Sequence, residues 1–264
     1  MIEPNKRLLA CMALLAATAT ATATAASAAS PAAPALHAPP VKNVILVHGA
    51  FADGSGWRSV YDRLKHRGFA VTVVQEPETS LEDDVQAVRR AIAMQDGPVV
   101  LVGHSYGGVV ITEAGNDQKV RALVYVAASV PEVGESLADL SARIPSPSGD
   151  AMTPTPDGFV ILQPKRFREA FAADLPPGDA DFMANSQVLP AAGIVTSKVK
   201  VAAWKTRPSY GIIAGADRAL SPDLERFMYE RAGAKTTFIP HASHAVYISH
   251  PEKVAAVIEE AAGR

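Results

Sequence analysis

From residue 43 onward, short runs of uninterrupted apolar residues alternate with longer stretches in which apolar residues recur every three or four positions. The short runs are Val44-Ile45-Leu46-Val47, Ala70-Val71-Thr72-Val73-Val74, Val99-Val100-Leu101-Val102, Leu123-Val124-Tyr125-Val126, Tyr210-Gly211-Ile212-Ile213 and Thr236-Thr237-Phe238-Ile239. Their length and β-branched content predict strands buried on both faces. The stretches between them predict helices with readable ends. Ser80 and Asp83 resemble a capping box with Asp in place of Glu; Val85, Val88 and Ile92 then share one face, and Asp96-Gly97 stops the run. Ser221-Pro222 starts another helix, with Leu224, Phe227 and Met228 facing inward and Gly233 at its end, and Pro251 opens the last. Strand alternating with helix predicts an α/β domain over residues 43–264, a mostly parallel sheet with helices on both faces.

The regularity breaks over residues 130–203. This stretch holds nine of the 20 prolines and has no clear strand, so a helical lid insertion over the sheet edge is expected there. Ahead of the domain, Pro31 to Pro40 (PAAPALHAPP) lacks any apolar period, and residues 30–42 read as a linker. Residues 1–29 differ in kind. Lys6 and Arg7 precede the apolar run Leu8 to Leu15, and small-residue sites follow at Ala23-Thr24-Ala25 and Ala26-Ser27-Ala28. That order is expected of a signal peptide, which implies export to the periplasm or beyond. Two rivals exist: an uncleaved anchor, since Leu8 to Ala29 is uncharged, and lipidation at Cys11, although the apolar run mostly follows that cysteine.

Composition narrows the partners. The 264 residues carry 25 Lys plus Arg against 27 Asp plus Glu, a formal charge of -2, with no block of like charge. Nucleic-acid binding would need a basic face, so the expected partner is a small molecule, with no stable membrane partner once the leader is removed. The one cysteine lies in the leader. The mature chain therefore has no thiol for a disulfide, a nucleophile or a metal site.

Val102-Gly103-His104-Ser105-Tyr106-Gly107-Gly108 follows a predicted strand and opens a predicted helix. The bare G-x-S-x-G pattern is weak, but in that setting small neighbours allow a sharp turn that leaves Ser105 exposed at the strand end, as a nucleophile requires. A serine hydroxyl needs a base, and the base needs an orienting group. His244 follows the last strand and Asp217 the one before it, both at carboxyl ends where ligands bind in open α/β sheets. His241 and His250 are rival bases. Asp223 is a rival acid, but it falls inside a predicted helix, and the fourth strand offers no carboxylate until Glu132. His48 and His104 flank glycines and read as structural.

On these residues, with His48-Gly49-Ala50-Phe51-Ala52-Asp53-Gly54-Ser55-Gly56-Trp57 and Ser243-His244-Ala245, the chain from about 43 to 260 resembles the α/β-hydrolase family. Within that family it is similar to bacterial esterases related to plant methylesterases and hydroxynitrile lyases. The resemblance implies a Ser105–His244–Asp217 triad, backbone oxyanion donors at Ala50 and Tyr106, and no metal or cofactor. It implies hydrolysis of a small to medium, largely apolar ester. Ser105 departs from the Asp nucleophile of epoxide hydrolases and dehalogenases of this fold. Gly49 and Ala245 depart from the Thr and Lys that the lyases carry at those positions. A lactonase, a cofactor-free perhydrolase or haloperoxidase, and a small-molecule binding protein stay open. Phe159, Phe167, Phe171, Phe182 and Met183 are candidates for an apolar pocket, and Trp57 reads as a helix-packing residue.

Overall fold

The computed structural model describes residues 40–264. The expected signal peptide and most of the expected linker lie outside them. In chain order the elements are β1 (Asn43–Val47), α1 (Arg58–His66), β2 (Ala70–Val74), α2 (Leu81–Ala93), β3 (Val99–His104), α3 (Gly107–Ala114) and β4 (Val120–Val126). An insertion follows, with α4 (Leu137–Arg143), β5 (Met152–Pro154), β6 (Val160–Leu162), α5 (Pro164–Phe171), α6 (Pro177–Asn185) and α7 (Gly193–Thr196). The chain then returns through β7 (Ser209–Ala214), α8 (Pro222–Arg231), β8 (Lys235–Ile239), α9 (Val246–Ser249) and α10 (Pro251–Ala261).

Six strands form one sheet in the order β2-β1-β3-β4-β7-β8, every neighbouring pair parallel. The period-2 geometry of a strand explains why the central runs are apolar throughout. Ile45, Val47, Leu101 and Tyr125 face one core with α2, α3 and α8, while Val44, Leu46, Val102 and Val124 face a second with α1 and α10. Val41, at the end of the segment read as a linker, is buried in that second core, and its N–H donates to Ala262 O at 2.9 Å. Trp57 is fully buried at the start of α1, its ring 4.7 Å from that of Tyr247.

The chain runs from β1 outward to β2 and then crosses back to β3 on the other side of β1. The loops leaving β1 and β3 therefore diverge, which opens a crevice at their carboxyl ends. His48-Gly49-Ala50 leaves β1 there, and Ser105 leaves β3.

Two local expectations need correction. The insertion does contain strands: β5 and β6 pair antiparallel, with Met152 opposite Leu162. Three-residue strands are too short to show a period of two. At α2, Ser80 Oγ accepts from Asp83 N at 3.1 Å and donates to Asp83 Oδ2, so only the forward half of the capping box forms. The reciprocal box occurs at α4 instead, between Ser136 and Asp139.

Candidate active site

Ser105 sits at the strand-to-helix turn with φ +53°, a left-handed conformation that a non-glycine residue adopts only when its surroundings impose it. Three backbone hydrogen bonds do so: Ser105 N to Val126 O, and Gly108 N and Ser129 N to Ser105 O, at 3.0 to 3.3 Å. The flanking glycines are required by space. A Cβ on Gly103 would lie 2.5 Å from Gly107 O, and one on Gly107 would lie 2.3 Å from His48 O.

His244 Nε2 lies 2.8 Å from Ser105 Oγ, and His244 Nδ1 lies 2.6 Å from Asp217 Oδ2. Asp217 occupies the turn between β7 and α8, where its other oxygen accepts from Ala219 N and Leu220 N at 2.8 and 2.9 Å. Its carboxylate therefore has three donors, which fix its plane and aim it at the imidazole. The rivals are elsewhere. Asp223 pairs with Arg226 in the first turn of α8, Glu132 pairs with Lys205, and His250 bonds Ser249. His241 is exposed.

His104 is buried, and its Nε2 donates to His244 O at 2.9 Å. Burial and the neighbouring His244 hold its pKa well below the usual histidine value. It stays neutral and braces the backbone of the histidine loop.

Ala50 and Tyr106 both line the cavity that Ser105 and His244 face, and neither backbone N–H donates to a protein acceptor among the described residues. Two unpaired N–H groups beside a serine hydroxyl can receive a developing oxyanion. Gly49 packs directly against Ser105: a Cβ there would stand 2.6 Å from Ser105 Cβ, so no side chain fits.

The cavity has a volume of about 330 Å³. Leu137, Leu140, Leu162, Ile194, Val195 and Leu224 supply much of its wall, and among the described residues no Asp, Glu, Lys or Arg lines it. Of the aromatic residues expected at a pocket, Phe171 lines this cavity, while Phe167 stacks behind it at 5.0 Å. Phe182 and Met183 line a separate pocket of about 60 Å³, and Phe159 lines neither.

Several supporting residues gave no signal in the sequence pattern. Asp174, after α5, accepts from Ser243 N at 3.1 Å and from Ser243 Oγ, while Phe171 O accepts from Ala245 N at 3.0 Å. The insertion thus clamps the loop that carries His244, and the Phe171 ring meets the imidazole edge-on at 4.6 Å. Glu225 is buried behind Asp217 and accepts from Ala214 N at 3.1 Å. Burial, and secondarily the Asp217 charge, raises its pKa well above the usual carboxylate range.

A hydroxyl beside a base that a carboxylate orients, opening on an apolar cavity, is serine-hydrolase chemistry. The chain belongs to the α/β-hydrolase family, whose profile matches residues 44–257. The α/β hydrolase nvfD of Aspergillus novofumigatus is 28% identical over 244 residues, which span 83% of this chain and 96% of that protein. A pyrethroid hydrolase of Sphingobium wenxiniae is 25% identical over 255 residues, spanning 83% and 87%. The fold is shared with a methylesterase from Arabidopsis, at a TM-score of 0.71 and 20% identity over 84% of this chain and 99% of the other. Among the described residues, no helix is long and apolar enough to cross a membrane.

Proposed function

We propose that the protein hydrolyses uncharged, largely apolar carboxylic esters of small to medium size through a covalent acyl-enzyme on Ser105. The observation that carries this is the continuous chain from Ser105 Oγ to His244 to Asp217, at 2.8 and 2.6 Å, opening on the cavity.

In the first step His244 Nε2 takes the proton of Ser105 as Oγ bonds to the ester carbonyl carbon. The carbonyl oxygen becomes negative and receives the N–H groups of Ala50 and Tyr106. The C–O bond to the alcohol then breaks, and the His244 proton leaves with that alcohol. Water repeats the sequence on the acyl-enzyme, returns a proton to Ser105 and releases the acid. Asp217 holds the imidazole with Nδ1–H toward itself, which keeps Nε2 free to accept. Each oxyanion donor contributes about 3 kcal/mol to such a transition state.

The uncharged wall supports a neutral substrate, because an ionised group there would lose hydration without gaining a partner. A pyrethroid is a reasonable larger substrate to test, given the Sphingobium relative. The test is Ser105→Ala against p-nitrophenyl acetate and longer p-nitrophenyl esters. Turnover is expected to vanish into the background, and retained turnover contradicts the proposal.

A further inference from the structure

Behind the oxyanion loop lies an acidic group that the hydrolytic steps do not use. Glu76 and Glu78, in the loop between β2 and α2, and Asp84, on α2, are all buried, the last two completely. They face His48, the residue that begins the Gly49-Ala50 loop. His48 Nδ1 is 3.5 Å from Glu78 Oε1 and 3.7 Å from Glu76 Oε2. His48 Nδ1 lies nearer to Gly49 O, at 3.1 Å, and none of the four oxygens of Glu76 and Glu78 has a hydrogen-bond partner in good geometry. Buried carboxylates without donors are rare and call for a reason.

The backbone of Glu78 is also unusual. Its φ is +54°, a conformation costly for a residue with a side chain. Its N–H donates to Asp84 Oδ1 at 2.8 Å, and its carbonyl accepts from Ala191 N of the insertion at 2.8 Å. The other oxygen of Asp84 accepts from Tyr106 OH at 2.7 Å, and Glu76 N donates to His48 Nε2 at 2.9 Å. Glu78 thus stands where three parts of the site meet: the loop that carries Ala50, the turn that carries Tyr106, and the insertion that roofs the cavity.

We propose that Glu78 is a positioning residue for the oxyanion hole, holding the His48–Ala50 loop and the Tyr106 turn in register from behind, and that its protonated form is the one that supports the reaction. The proposal rests on the reading of Ser105 as nucleophile. Burial pushes the Glu78 carboxyl up to about 7 against the opposing pull of His48, and the charge of Asp84 adds a smaller push in the same direction as burial. Burial also raises Glu76, and it raises Asp84 despite the opposing bond from Tyr106. The titratable groups that face Glu78 are His48 from the β1 loop, Glu76 from its own loop, Asp84 from α2 and Tyr106 from the turn after β3. With its proton on, Glu78 adds no charge to this group. Once ionised it places a negative charge, only partly offset by His48 at 3.5 Å, beside the loop that must receive a negative oxygen, and in a low-dielectric interior that opposition is strong. The effect falls on the transition state and not on the neutral ester, so kcat is affected and KM is not.

The experiment measures kcat and KM for p-nitrophenyl acetate from about pH 6.5 to 8.5 in the wild type, Glu78→Gln, Glu78→Ala and Ser105→Ala. Wild-type kcat is expected to fall about fivefold or more across that range, with KM within about twofold. Glu78→Gln, which keeps the shape and cannot ionise, is expected to lose that alkaline fall. Glu78→Ala is expected to be about tenfold slower at every pH. A wild-type profile that stays flat, a Glu78→Gln profile that falls like the wild type, or a Glu78→Ala kcat within about twofold of wild type at pH 6.5 overturns the proposal. Should Glu78→Ala fail to fold, the Glu78→Gln profile decides alone. Turnover kept by Ser105→Ala refutes the nucleophile instead, whereas a contrary Glu78 result with Ser105 still required refutes only the positioning role.

Discussion

The two flanks of Ser105 are built on opposite electrostatic plans. On the His244 side the groups that hold the imidazole are tied down: Asp217 receives three donors, His104 braces the His244 carbonyl, and Asp174 ties down Ser243, with one oxygen of Glu225 behind Asp217 left unpaired. On the His48 side, Glu76 and Glu78 are just as deeply buried, yet their four carboxyl oxygens have no partner. The carboxylate that contacts the imidazole is given donors. One that lacks donors holds its proton instead, and the 3.5 Å gap to His48 leaves it able to change state without dismantling the loop.

Substitutions on each flank should therefore differ in kind. Replacing His244 by Ala removes the base outright, and the drop in kcat is expected to be about 10⁴-fold or more; Asp217→Asn, which misorients the ring, should cost about 10³- to 10⁴-fold. Steady-state assay with an activated ester checks both. On the other flank the expected signature is stability that changes with pH. The folded state keeps a proton on Glu78 that the unfolded chain releases between its ordinary pKa of 4.5 and about 7. The native state is then the one binding more protons, so stability declines as pH rises through that window and the loss is complete above it. It amounts to at most about 3 kcal/mol. Glu78→Gln should accordingly melt higher than wild type near pH 8, by roughly 5 to 10 °C, with the gap closing near pH 4. A gap that is the same at both pH values contradicts the titration. The smallest effect is expected from Asp174→Ala, which removes one of the ties between the His244 loop and the insertion, leaving those to Phe171, without touching the imidazole. A decrease in kcat of about tenfold, matched by slower fluorophosphonate labelling, would show that the clamp positions the base.

Much of this was legible in the chain. The four central strands follow from apolar runs because burial on both faces leaves almost no polar position to blur them, whereas the edge strands β2 and β8, expected to be buried on both faces, are largely exposed or half-buried and keep Thr and Lys positions. That Ser105, Asp217 and His244 come together was readable because each lies within a few residues of the carboxyl end of a strand, so topology alone brings them to one edge. The supports behind them were not. Asp174 acts from a Pro-rich insertion, and nothing local ties residue 174 to residue 243 until the fold is closed. Glu76 and Glu78 look like acidic loop residues, the ordinary content of a solvated turn. Asp84 left one trace: it lies four residues before Val88, on the apolar face of α2, where a carboxylate needs a buried partner. That partner, the hydroxyl of Tyr106, lies 22 residues away. The β5–β6 hairpin was hidden by its brevity.

Every step of the proposed reaction turns on Ser105 carrying the acyl group. Treating the protein with a fluorophosphonate and mapping the modified peptide tests this directly. The prediction is a single adduct on the peptide containing Gly103-His104-Ser105, absent in Ser105→Ala and slowed in His244→Ala. An adduct on another serine, or equal labelling of Ser105→Ala, would contradict it.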